Sequence, residues 1–246
     1  GSTGFTVGAL AQMNTSAATY VAWQWNAGGS TVTNTSGSIS AQVRANATAG
    51  CSVVTYTGTG ANATVGHGLS IAPSLVIVKS NSGNTSGWNV RHISIPPANY
   101  IFLETTGAAG TDATVWNSTA PTSSVFSIGT NGNINVSAST YVAYCFAPIA
   151  GYSAFGSYTG NGSADGPFVF LGFRPRFVMF KRTDTTGDWQ MYDSSRDTYN
   201  VTSNTLYANG AFAEDSNTTN RALDLLSNGF KLRSSASFLN ASGGTY

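Results

Sequence analysis

A pentapeptide that returns about 102 residues later limits what this chain can fold into: Tyr56-Thr57-Gly58-Thr59-Gly60 recurs as Tyr158-Thr159-Gly160-Asn161-Gly162. The match continues in register. Pro73-Ser74-Leu75-Val76-Ile77-Val78-Lys79 aligns with Pro175-Arg176-Phe177-Val178-Met179-Phe180-Lys181, and each is followed by a tryptophan, Trp88 or Trp189. A third, partial copy opens the chain. Phe126-Ser127-Ile128-Gly129 and Thr140-Tyr141-Val142-Ala143-Tyr144-Cys145-Phe146 match Phe5-Thr6-Val7-Gly8 and Thr19-Tyr20-Val21-Ala22-Trp23-Gln24-Trp25 at the same spacing. Copies of one unit are expected to fold alike, and a unit of roughly 100 residues can bury its own core.

The boundaries that follow are 1–25, a partial repeat; 26–49, a linker carrying one strand at Ile39-Ser40-Ala41-Gln42-Val43; 50–150, the first repeat; and 151–246, the second. The second repeat reaches Thr245-Tyr246 where its own Tyr-Val-Ala-type strand is due. Either the chain is a fragment of a longer array, or residues 1–25 supply that strand, within the chain or from a neighbour. Tyr20, Val21, Trp23, Trp25 and Tyr246 are the residues of this expected assembly junction.

Strand signals dominate. Short β-branched and aromatic runs such as Leu75–Lys79, Tyr141–Phe146 and Phe177–Lys181 are bounded by Gly, Pro, Asn and Ser, and helix periodicity is scarce. The expected fold class is all-β: two tandem β-sandwich repeats of jelly-roll or lectin-like kind, with an N-terminal strand homologous to the last strand of each. Trp88 and Trp189 are expected to anchor equivalent cores. Cys51 and Cys145 sit in apolar alternating segments and read as buried thiols, with a single disulfide as the alternative.

Charged residues make up only 9% of the chain and the net charge is +1, so solubility rests on Ser, Thr, Asn and Gly. Lysines and arginines are scattered rather than striped, which argues against a nucleic-acid partner. No run is apolar enough to span a membrane. Compact catalytic and zinc-binding motifs are absent, so no enzyme activity and no cofactor are expected. Asp184 and Asp188 are weak candidates for a calcium site, against plain acidic turns tied by arginine. Trp116 with Asn117, and the aligned pair His92 and Asp193, are the candidate ligand-binding residues. Sugar rings stack on exposed aromatic faces, and Trp116 lacks an aromatic counterpart in the other repeat. The competing reading places each tryptophan in a core.

The order of these motifs, from Tyr56-Thr57-Gly58-Thr59-Gly60 through Gly66-His67-Gly68-Leu69 and Thr140–Phe146 to Gly156–Gly162, resembles repeated modules of tail-fibre and related structural proteins of marine and cyanobacterial bacteriophages. The resemblance spans nearly the whole chain. It implies a β-rich virion surface protein, extracellular, that assembles with itself, commonly as a trimer, and with other virion proteins. It also implies a part in host attachment or capsid decoration, with host surface glycans a candidate partner and the ligand chemistry undefined. It supplies no catalytic residues. A carbohydrate-binding module and a self-assembling filament or surface-layer subunit are the alternatives.

Overall fold

The computed structural model describes residues 4–246. Its first body contains β1 (Val32–Asn34), β2 (Ala41–Asn46), β3 (Cys51–Thr57), β4 (Ala63–Gly66) and β5 (Leu75–Ser82). It continues with β6 (Asn89–His92), β7 (Asn99–Phe102), β8 (Gly110–Thr111), β9 (Val125–Ile128) and β10 (Thr140–Phe146). An antiparallel sheet runs β1-β2-β3-β10-β5-β6-β7-β8, and β4 pairs with β9 in a separate ribbon. Side-chain alternation decides which face is buried. In β10, Tyr141, Ala143 and Cys145 point into the core, where Val65, Phe126 and Ile128 of the ribbon close over them with Leu69 and Ile134.

Residues 26–49 are not a linker. β2 pairs with β3 along its length, and Ile39, Ala41 and Val43 are part of the first core. The alternation of Ala41 and Val43 against Gln42 and Arg44 is short, and the polar residues around it hide it in the composition. Cys51 and Cys145 are both buried and free. Their register explains this: Cys51 pairs with Phe146 and Cys145 with Ser52, so the two thiols lie on opposite faces of the sheet. Burial pushes the Cys145 thiol up to about 12.

The second body contains β11 (Phe168–Phe170), β12 (Phe177–Phe180), β13 (Gln190–Asp193), β14 (Asn204–Tyr207), β15 (Asp215–Ser216), β16 (Leu223–Leu226) and β17 (Gly229–Leu232). The order β12-β13-β14-β15 parallels β5-β6-β7-β8, and β11 pairs with β17 as β4 does with β9. Val178, Phe180, Tyr192, Leu223, Leu225, Phe230, Leu232 and Leu239 form its core. Four single-turn helices complete the chain: α1 (Ala11–Asn14), α2 (Ala113–Trp116), α3 (Gly132–Asn135) and α4 (Ser237–Asn240). The protein is all-β, built of antiparallel sheets. No helix among the described residues is long and apolar enough to cross a membrane.

A third apolar cluster joins the bodies. Trp189 of the second packs with Val90, Ile95 and Ile101 of the first, and its Nε1 donates to the Phe102 carbonyl at 2.9 Å. Lys181 reaches across as well, donating to the Thr106 carbonyl at 3.0 Å while also bonding the Gly187 carbonyl of its own body at 2.8 Å. Trp88 is half-buried and stacks on Tyr144 outside the first core. The two aligned tryptophans therefore do not anchor equivalent cores, because the outer face of one body became the contact surface of the other.

Candidate functional site

The segment that carries the repeat folds into a tyrosine corner, built twice in full. In the first body, Tyr56 and Tyr141 stack with ring centroids 5.2 Å apart. The Tyr56 hydroxyl donates to the Ile134 carbonyl at 2.8 Å, and the Tyr141 hydroxyl accepts from the Val136 amide at 2.8 Å. Asn135 ends α3 and locks the corner: its Nδ2 donates to the carbonyls of Ala61 at 2.7 Å and Gly129 at 2.6 Å, and its Oδ1 accepts from the Thr59 amide at 2.7 Å. Gly58 is obligatory here, since a Cβ at that position would stand 2.3 Å from the Val136 carbonyl oxygen.

The second body repeats these contacts. Tyr158 stacks on Tyr246 at 4.8 Å, and its hydroxyl donates to the Leu239 carbonyl at 2.9 Å. Asn240 takes the place of Asn135, donating to the Ser163 and Ser234 carbonyls at 2.7 Å and 2.9 Å and accepting from the Asn161 amide at 2.7 Å. The Ala241 amide donates to the Tyr246 hydroxyl at 2.8 Å. Burial raises Tyr56 and Tyr158 well above the usual phenol range, and each corner partner or neighbouring phenol adds to it, so both rings stay neutral donors.

Half of a third corner stands at the N-terminal segment. Asn14 ends α1 and donates to the Gly8 carbonyl at 2.9 Å, and the Thr15 amide donates to the Tyr20 hydroxyl at 2.8 Å. Among the described residues no Tyr-Thr-Gly-x-Gly segment covers this half, and Tyr20 is 50% exposed where Tyr141 is 0% and Tyr246 is 5% exposed. Leu10 and Met13 are exposed beside it. The asparagine six residues before each tyrosine is the functional signal that sequence reading missed; superposing all three copies would have found it.

Residues 19–25 form no ladder with either body, so the expected complementing strand is not paired. Their tryptophans nonetheless dock on the second body. Trp23 and Trp25 lie edge-on to Phe177 at 5.5 Å and 5.8 Å, and Trp25 also meets Phe146. Trp23 Nε1 donates to Asp193 at 3.2 Å, and Arg196 lies over its ring. Val21 is exposed. The side chains arrive without the backbone pairing.

The predicted ligand residues do not converge. Trp116 is 1% exposed, turned into the first core by α2, whose cap is Asp112, so it has no face to offer a sugar. Asn117 is an exposed left-handed residue that ends that helix. His92 sits at the end of β6 against Phe155, and burial, then the adjacent Arg91, pushes it down to about 4. Asp193 is buried in the other body, held by Arg196 at 2.7 Å and by the Ser195 and Arg196 amides. Asp184 pairs with Arg182 at 2.8 Å, whereas Asp188 accepts from Asn209 at 2.8 Å. Among the described residues no group of three or more His, Cys, Asp or Glu side chains is placed to hold a metal.

Compared with known proteins, the chain matches one family over residues 1–246, described as a domain of unknown function, DUF7483. No curated protein and no solved structure matches it.

Proposed function

The chain belongs to the DUF7483 family along its whole length, and from its geometry and motif order we propose that it is a structural and adhesion component of a phage particle. As a tail-fibre or surface-decoration protein it works by assembly and host-surface attachment, outside the cell and without turnover. The virion setting rests on the resemblance of the motif order. The assembly half rests on one observation: a corner that the molecule completes twice is preformed a third time with its tyrosine half exposed. Each completed corner specifies the occupant, a Tyr-Thr-Gly-x-Gly segment whose tyrosine stacks on the waiting ring. Both such segments of this chain fill its own corners, so the occupant comes from a unit that carries a further, unengaged copy, and it links units end to end.

A self-assembling filament uses the same junction and differs only in setting. Titration calorimetry of the whole chain and of a Tyr20→Ala variant with a peptide of the sequence Gly156–Gly162 tests the junction. We expect the whole chain to bind the peptide and the variant to bind it at least about tenfold more weakly. Equal binding by the two, or none by either, would remove the assembly reading.

A further inference from the structure

Of the eleven lysines and arginines, nine are tied to groups within the protein. Arg182, Arg196, Arg221, Lys231 and Arg233 pair with carboxylates. Arg44, Lys79, Arg91 and Lys181 donate to backbone carbonyls. Arg174 and Arg176 are different. The Arg174 Nε makes one long contact to the Leu225 carbonyl, 3.4 Å, and the Arg176 guanidinium has no hydrogen-bond or ion-pair partner among the described residues. They flank buried Pro175, and both are exposed. With Ser194 and Thr198 they line a concavity of about 420 Å³. Tyr199, 85% exposed, follows Thr198, and Asn200 donates to the same Leu225 carbonyl as Arg174, so this segment passes close to that arginine.

The first body shows that the framework does not need these side chains. There the Ile93 amide donates to the Ser74 carbonyl at 2.8 Å, as the Ser194 amide does to the Arg176 carbonyl at 2.9 Å, so the two places correspond. Ala72 and Ser74 occupy the arginine positions, and the space, walled also by Arg91, Ile93, Ala120 and Pro121, is about 50 Å³. One body nearly closes the place, and its arginine there donates to the Ile95 carbonyl. The other opens it and leaves two guanidiniums unneutralised.

We propose that Arg174 and Arg176 form a binding site for an acidic glycan, a sugar polymer bearing carboxylate or sulfate groups. The guanidinium forks receive the anionic groups, the Ser194 and Thr198 hydroxyls reach ring hydroxyls, and Tyr199 offers a face to a sugar ring. Two arginines without a continuing basic stripe suit spaced charges rather than a continuous phosphate backbone. The identity of the polymer as a host-surface glycan rests on the attachment reading above; anion binding itself does not.

Titration calorimetry of the whole chain with sulfated, uronate and neutral oligosaccharides of equal length, and with a short DNA duplex, tests the site. Acidic sugars should bind and the neutral one should not, with the sulfated and uronate arms showing which anion is preferred. Replacing the arginines by their counterparts, Arg174→Ala with Arg176→Ser, should weaken binding at least about tenfold, with the melting curve unchanged, and Tyr199→Ala several-fold. Tighter binding to DNA, equal binding of the neutral sugar, no binding at all, or an equal loss on Arg44→Ala would each overturn the proposal. Adhesion of the labelled chain to host bacteria separates the two readings. Adhesion that survives loss of glycan binding sinks this site alone, and glycan binding without adhesion sinks the attachment reading.

Discussion

One side chain type, an asparagine closing a single helical turn, decides whether each corner holds. Asn135 satisfies two carbonyls and one amide at a position that is fully buried, so truncation leaves the Gly129 carbonyl and the Thr59 amide without partners and the Ala61 carbonyl with only the Thr59 hydroxyl. We predict that Asn135→Ala costs about 3 kcal/mol in urea denaturation, whereas Asn14→Ala, in the exposed half-corner, costs less than about 0.5 kcal/mol. Equal losses would mean that the third corner is completed in solution. The glycine is as demanding as the asparagine. A methyl group at Gly58 meets the Val136 carbonyl oxygen, so Gly58→Ala is expected to destabilise the first body by about 2 kcal/mol or more, read from the same denaturation curves.

Strands were legible in proportion to how far alternation outweighed local composition. β5, β10 and β12 announce themselves through β-branched and aromatic runs. β1 and β2 do not, because small Ala41 and Ala45 and the single Val43 are the apolar residues of a strand otherwise made of Gln, Arg and Asn. Their burial argues that this segment is structural, and we predict that Val43→Asp abolishes the cooperative melt of the first body. A variant that melts like the parent would restore the linker reading. The junction was half legible. The internal alignment identifies Tyr20 and Tyr246, but strand pairing of residues 19–25 needs a free sheet edge in register, which periodicity cannot report. Trp116 shows the other limit: a tryptophan in a core and one at a sugar site are the same letter. What separates them is the turn of α2, capped by Asp112 accepting from the Thr114 amide at 2.8 Å. The arginine concavity was invisible for a related reason. Arg174 and Arg176 stand out only because neither meets a carboxylate and Arg174 makes just one long bond to a carbonyl, and partners are a property of the fold.

At the scale of the molecule, Trp189 and its neighbours pack the two bodies against each other, and that contact is expected to make them unfold together. Trp189→Ala should cost about 3–5 kcal/mol, and calorimetry should show the single transition dividing into two. His92 lies at the same passage, against Phe155 of the chain that leads into the second body. An unfolded histidine titrates near 6.5, whereas burial, with Arg91 adjacent, holds His92 down at about 4. Between those two values the unfolded chain binds a proton that the folded chain refuses, so stability rises with pH across that window and is lost on acidification. His67 is shifted in the same direction by burial, against an opposing bond to the Thr122 carbonyl, and adds to the slope. The depressed carboxylates Asp112, Asp184 and Asp193 act on the same side at lower pH, below the ordinary carboxylate value. We therefore predict that acidifying from pH 7 to pH 4.5 lowers stability by about 2 kcal/mol through His92, and that His92→Gln flattens the melting temperature across that range. An unchanged pH slope in the variant would show that His92 titrates normally, and that the passage between the bodies is open to water.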